Sequence, residues 1–131
     1  TAVVSQRAVL PAIGYFETQK SGPVPVPHYI APREGLIYFA GLYSWWKDPA
    51  ADPTDPARWR LTTTMLTQQA IGALAEIHDR MPVILSRDAI DEWTDPRVRG
   101  DRLLVDATVT ASAALRSQRN LQCARAPLEA P

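Results

Sequence analysis

Two side chains in this sequence are of a type and in a setting suited to proton transfer, Glu17 and His78. Glu17 ends the run Gly14-Tyr15-Phe16-Glu17, and a carboxylate among aromatic and apolar neighbours is costly to bury without partners. Such a setting raises a carboxyl's affinity for protons and suits it to acid–base work; an outward-facing strand position is the plainer alternative. His78 lies in Glu76-Ile77-His78-Asp79-Arg80-Met81-Pro82, between a predicted helix and a predicted strand. A histidine on such a loop is placed where it can move protons. The competing reading is structural, with Asp79 and Arg80 pairing across the turn. The other histidine, His28, opens a predicted strand in Pro27-His28-Tyr29-Ile30 and reads as structural.

Other chemistry is thinner. Trp45 and Trp46 beside Lys47 have the makings of a base-stacking platform with a cation. Adjacent strand residues point oppositely, so one of the two tryptophans is expected in the core. Cys123 is followed by Arg125, which would favour a thiolate, but an inert thiol is the simpler reading. Thr1 as an N-terminal nucleophile has no supporting pattern. Two distant histidines and one cysteine make no metal-ligand set. Glycine-rich phosphate loops and the Gly-x-Ser-x-Gly elbow are absent, so no cofactor is implied.

The elements that must carry these residues are mostly short strands. Ala8–Leu10 and Ile13–Glu17 flank Pro11, Ile37–Tyr43 reads as a central strand, and Arg60–Thr67 is rich in β-branched residues. Thr67 is expected to cap a short helix bearing Ile71, Leu74 and Ala75. Pro82–Leu85 follows as a strand, and Ser86 caps a second helix running to Trp93, stopped by Asp95-Pro96. Beyond Asp101 a helix is favoured over a strand. The 12 prolines punctuate the chain, marking loops at Ser21–Pro27 and Asp48–Pro56. Strands mixed with short helices, without regular alternation, indicate an α+β domain.

Composition narrows the class. At 131 residues the chain suits one domain and a sizeable core. Apolar residues at 46% and charged residues at 21% exclude a fibrous or disordered chain. No apolar run approaches the roughly 20 residues of a spanning helix, and no signal-peptide pattern opens the sequence. The single cysteine excludes a disulfide framework and points to a cytoplasmic setting. Charges balance, 14 basic against 14 acidic, so bulk charge does not advertise nucleic-acid binding. Residues 97–131 do carry an excess: Arg97, Arg99, Arg102, Arg116, Arg119 and Arg125 against Asp101, Asp106 and Glu129. A solvated surface is its plain reading, and phosphate contact the alternative.

Five segments then occur in a distinctive order. They are Arg7-Ala8-Val9-Leu10-Pro11-Ala12-Ile13-Gly14-Tyr15-Phe16-Glu17, Phe39-Ala40-Gly41-Leu42-Tyr43-x-x-Trp46, Met65-Leu66-Thr67, Ile77-His78-Asp79-Arg80-Met81-Pro82-Val83-Ile84-Leu85 and Asp91-x-Trp93-x-Asp95-Pro96. Together they resemble the SRAP family, the SOS response-associated peptidases or abasic-site processing proteins. The resemblance implies an α+β fold around a barrel-like, mostly antiparallel sheet with short peripheral helices. It implies a DNA-damage role in which an N-terminal cysteine forms a thiazolidine crosslink with an abasic site in single-stranded DNA, after a peptidase-like self-maturation. Glu17 would correspond to the family's glutamate at the reaction centre and His78 to the histidine beside the opened sugar. Arg80 and Thr67 would fall on the DNA backbone, with Trp46 a further DNA-binding residue. No metal, cofactor or membrane is implied, and a monomer is expected.

The chain departs from the family pattern at several places. It begins at Thr1, without a Met-Cys-Gly-Arg opening, and the family's upstream asparagine and DNA-wedging aromatic loop have no counterpart. Ala8 stands where cysteine is frequent and Thr18 where tryptophan is usual. The expectation is one SRAP-like domain over residues 1–131 lacking the family's N-terminal segment. Either it is part of a complete protein or it is a shortened, inactive relative, with bare sheet edges arguing for the first. A non-catalytic single-stranded DNA-binding module is the other functional class.

Overall fold

The computed structural model describes residues 2–117 and 121–126; Thr1, Arg119 and Glu129 lie outside them. A four-residue helix α1 (Ala2–Ser5) leads into strands β1 (Arg7–Ala12), β2 (Tyr15–Gln19), β3 (Val26–Pro32), β4 (Ile37–Lys47), β5 (Trp59–Met65), β6 (Thr67–Gln69) and β7 (Arg80–Pro82). Helices α2 (Ala89–Thr94) and α3 (Arg102–Ser117) follow, then β8 (Leu121–Arg125). All pairings are antiparallel.

The strands form three sheets, in the orders β1-β4-β5, β2-β3-β8 and β6-β7. None of them closes on itself, so the expected barrel-like sheet is not what the described residues build. A barrel needs every strand paired on both sides. Among the described residues β5 pairs only with β4, and β2 and β8 pair only with β3, so these sheets keep open edges there. The α+β class and the antiparallel pairing stand.

Strand β4 organises the core. On one edge it pairs with β1 from Arg7↔Leu42 to Ala12↔Ile37. Pro11 is accommodated inside β1, not as a break, because an edge strand can turn a missing N–H outward. The other edge of β4 is shared. Strand β5 takes Gly41 to Lys47, and residues 83–85 take the rest: the Ala40 N–H donates to the Val83 carbonyl at 3.0 Å and the Leu85 N–H to the Tyr38 carbonyl at 2.8 Å. Leu66 sits at the handover, donating to the Ala40 carbonyl at 2.8 Å and accepting from the Val83 N–H at 2.9 Å. Ala40, Val83, Leu85 and Trp93 form one buried cluster, and Ile37, Phe39 and Ile84 a second.

Several local expectations change. Thr67 opens β6 instead of capping a helix; the turn that follows is a 3₁₀ segment, Gly72–Glu76, with Ile71 before it. The handover at Leu66 carries the chain directly into pairing with β7, which leaves no room for a cap there. Residues 83–85 run strand-like beside β4, but the named strand β7 stops at Pro82. Ser86 is not the cap of α2: that position is Asp88, whose side chain makes no capping bond, while the Ser86 hydroxyl two residues earlier accepts from the Ala89 N–H at 3.3 Å. The segment after Asp101 is helical, and Asp101 accepts from the Leu104 N–H at 3.0 Å. The loop at 48–58 is held by Asp48, Asp52 and Asp55, each accepting from a backbone N–H two residues on.

Arg7 ties the start of the chain to its middle. Its buried guanidinium donates from Nε to the Trp93 carbonyl (2.6 Å), from Nη1 to Val3 (2.8 Å) and Val4 (2.7 Å), and from Nη2 to Asp95 (2.8 Å) and Val98 (2.6 Å). Those five bonds use all five donors of the group. Trp93 returns the contact, its indole N–H donating to the Ala8 carbonyl at 2.9 Å. Bonds from the Arg97 side chain and backbone hold the Asp95 carboxyl below the usual range. Gly100 closes the knot by donating to the Val4 carbonyl at 3.1 Å, and a Cβ there would overlap the Val3 carbonyl and the Arg7 guanidinium. Gly100→Ala is therefore expected to cost about 3 kcal/mol, the upper range for overpacking, measurable as a lower urea midpoint.

Candidate functional site

Glu17 and His78 reach each other from different parts of the fold. Glu17 stands on β2, opposite His28 of β3, with its side chain mostly covered. His78 follows the 3₁₀ turn that links β6 to β7, its backbone N–H donating to the Leu74 carbonyl at 3.0 Å. The Nε2 of His78 lies 3.9 Å from Oε1 of Glu17. That is beyond a direct hydrogen bond, and the gap suits one bridging water or a polar atom of a ligand.

The hydrogen-bond pattern sets the state of the ring. The Arg80 backbone N–H donates to His78 Nδ1 at 3.1 Å. An accepting Nδ1 places the proton of the neutral imidazole on Nε2, the atom facing Glu17. When the ring is charged, Nδ1 carries a proton and finds Asp79 Oδ1 at 3.2 Å and the Arg80 carbonyl at 3.2 Å. Both protonation states thus have partners, which is what a proton-transfer group requires.

Arg80 and Thr67 form the adjacent surface. The Arg80 Nη2 donates to the Thr67 carbonyl and to its Oγ1, both at 2.8 Å, and Nε donates to Oγ1 at 3.3 Å. The two residues sit near diagonal positions of the β6–β7 pair, where Thr67 faces Pro82 and Gln69 faces Arg80. Both are exposed. The guanidinium is anchored on one side and exposed on the other, which fixes the direction in which it could meet an anion.

Trp46 is not brought to this group. It pairs with Arg60 six residues along β4 from Ala40, roughly 20 Å at the usual strand rise. Both tryptophans are exposed, Trp45 at 56% and Trp46 at 47%, against the expectation that one would be core. Strand β4 runs past the end of β1, so the β4–β5 hairpin projects with neither face covered. Lys47 lies over the ring of Trp59 at 5.9 Å, and Arg60 pairs with Asp48 at 2.9 Å.

Gln19 was not singled out from the sequence. Its Nε2 donates to the Glu76 carbonyl at 3.0 Å and to Ser21 Oγ at 3.1 Å, tying β2 to the turn that carries His78. Two residues from Glu17 on a strand, it shares that face, and alternation was the available signal. Among the described residues no cluster of three metal-ligating side chains exists, and no helix is long and apolar enough to cross a membrane.

The family model described as SOS response associated peptidase (SRAP) matches residues 1–123. The chain belongs to the SRAP family. It is 33% identical over 97 residues to the abasic site processing protein YoqW of Bacillus subtilis (strain 168), covering 72% of this chain and 41% of that protein. It is likewise 33% identical over 95 residues to the abasic site processing protein YedK of Escherichia coli (strain K12), covering 72% and 40%. The chain therefore spans about two-fifths of these curated SRAP relatives. Among solved structures, a protein from Bacteroides thetaiotaomicron shares the fold with a TM-score of 0.76 at 21% identity, covering 97% of this chain and 52% of that one. A protein from Bordetella bronchiseptica does so with a TM-score of 0.67 at 22% identity, covering 97% and 58%.

Proposed function

We propose that this SRAP chain recognises abasic sites in single-stranded DNA as part of a DNA-damage response. The observation that carries the proposal is the approach of His78 Nε2 to Glu17 Oε1 at 3.9 Å on a chain whose relatives are abasic site processing proteins. An abasic sugar opens to an aldehyde, and chemistry at an aldehyde carbon consists of additions whose protons must be supplied and removed. In this reading Glu17 and His78 share that work, with one oxygen of the opened sugar bridging them. Arg80, steadied by Thr67, holds the adjacent phosphate. The covalent step, a thiazolidine formed by the amine and thiol of an N-terminal cysteine, would be supplied from outside residues 1–131, along with any peptidase-like maturation.

The exposed hairpin bearing Trp45, Trp46 and Trp59 beside Lys47 and Arg60 favours a second reading, a binding module that stacks bases without chemistry. One experiment separates the two. Residues 1–131 should bind an oligonucleotide with one abasic site more tightly than its undamaged twin, and less tightly as salt rises. The same chain extended to begin at a cysteine should give a band with abasic DNA that survives a denaturing gel. Native binding without that band, and without preference for the lesion, selects the second reading.

A further inference from the structure

A second group of reactive side chains lies on the same face of the β2-β3-β8 sheet as Glu17, and the function above does not use it. Cys123 on β8 is exposed, and its Sγ lies 3.7 Å from Nδ1 of His28 on β3. The other ring nitrogen, Nε2, is 3.1 Å from Oε1 of Gln19 on β2. The proton positions follow from one fixed acceptor. The Glu76 carbonyl can only accept, so the Gln19 atom 3.0 Å from it is the amide nitrogen. Gln19 therefore presents its oxygen to His28, which must donate from Nε2, and the neutral ring is left with a bare Nδ1 facing the thiol. A thiol, an accepting imidazole nitrogen and an amide that fixes the tautomer are the parts of an activated nucleophile.

We infer that Cys123, His28 and Gln19 form a second reactive centre that captures an aldehyde. It rests on the abasic-site reading only for the choice of aldehyde. Although the residue is exposed, partial desolvation of its sulfur pushes the Cys123 thiol up, so the resting group is the thiol, not a preformed thiolate. His28 must then take the proton as the sulfur attacks. The S–H bond breaks, the new bond joins Sγ to the aldehyde carbon, and the carbonyl π pair moves to oxygen. The imidazolium returns its proton to that oxygen, giving a hemithioacetal with no leaving group and no oxidant. Gln19 is the positioning residue. The charged groups facing His28 across the sheet are Glu17 on β2 and Arg125 on β8, one of each sign.

Cys123 is the one cysteine of the sequence, so alkylation by iodoacetamide, followed by intact mass, reads this site alone. At pH 7 the His28→Ala and His28→Gln variants should each label roughly tenfold more slowly or worse than the parent chain. Gln19→Leu should slow labelling too, with its pH profile moved, because the ring is then free to turn or change tautomer. At a pH alkaline enough for the thiolate to form unaided, the rates should converge. His28→Gln keeps a polar side chain on β3 and separates loss of the base from loss of the fold. Equal rates at pH 7 would overturn the centre. Glyceraldehyde and an abasic oligonucleotide should both protect the parent chain reversibly. Protection by glyceraldehyde alone leaves the thiol centre in place and removes the abasic sugar as its aldehyde, whereas loss of abasic-site preference in the binding assay would remove the abasic-site reading; protection by neither removes the aldehyde.

Discussion

Arg7→Met is expected to destabilise the folded chain by on the order of 3–5 kcal/mol. Methionine keeps much of the length and removes every donor, leaving the carbonyls of Val3, Val4, Trp93, Asp95 and Val98 without the partner that now serves them. A buried acceptor stripped of its donor costs about 1–3 kcal/mol, and water reaches only the outer members of this set. Set against a typical total of roughly 5–15 kcal/mol, such a loss consumes much of the stability. Arg7→Lys should recover part of it, because an ammonium brings three donors but cannot span the five positions. Urea denaturation followed by tryptophan fluorescence measures both. A change below about 1 kcal/mol for Arg7→Met would mean that water takes over the whole guanidinium site.

His78→Ala and Glu17→Gln, each placed in a chain carrying the N-terminal cysteine, are expected to slow crosslinking to abasic DNA by about 10²-fold. The double variant should be only slightly slower than either single one. Each substitution leaves the other group without its proton partner, so the two losses overlap instead of multiplying. Glu17→Gln preserves shape and hydrogen bonding at that position, which keeps the comparison free of packing effects. Time courses on denaturing gels give the rates, and native binding should change far less. If both variants crosslink at the parent rate, neither residue manages protons in that reaction. If binding falls as steeply as the rate, their role is to hold the DNA.

Much of this arrangement is written locally. Ile37–Tyr43 reads as a central strand because apolar and aromatic residues fill it on both faces, and it does lie at the centre of its sheet, as β3 does in the other three-stranded sheet. The residues after Asp101 favour helix through Leu104, Ala111 and Leu115 despite Thr108-Val109-Thr110, and a 16-residue helix forms. What the pattern could not reveal is how far strands run past their neighbours. Trp45 and Trp46 obey strand alternation, yet both are exposed because β1 stops at Arg7, opposite Leu42. Thr67 has the chemistry of a cap but lies where backbone pairing at Leu66 draws the chain into β6. The barrel-like sheet failed for a related reason: closure depends on which edges meet, and no local signal carries that. Gln19, His28 and Cys123 are invisible as a group in the sequence, since only the cross-strand register places them on one face.

The shared edge of β4 has a consequence for how securely Thr67 and Arg80 are placed. Two segments abut end to end along one strand, with Met65 opposite Gly41 and Val83 bonded to Ala40. Neither can slide toward the other without displacing it. A sheet pair normally relies on turn geometry and side-chain pattern to hold its alignment, and β5, exposed along its whole length, has little pattern to offer. Here each segment acts as a mechanical stop for its neighbour. The alignment of the β6–β7 pair, and with it the placement of Arg80, is thereby tied to β4 at both outer ends and not only through the 70–79 segment that joins the two strands.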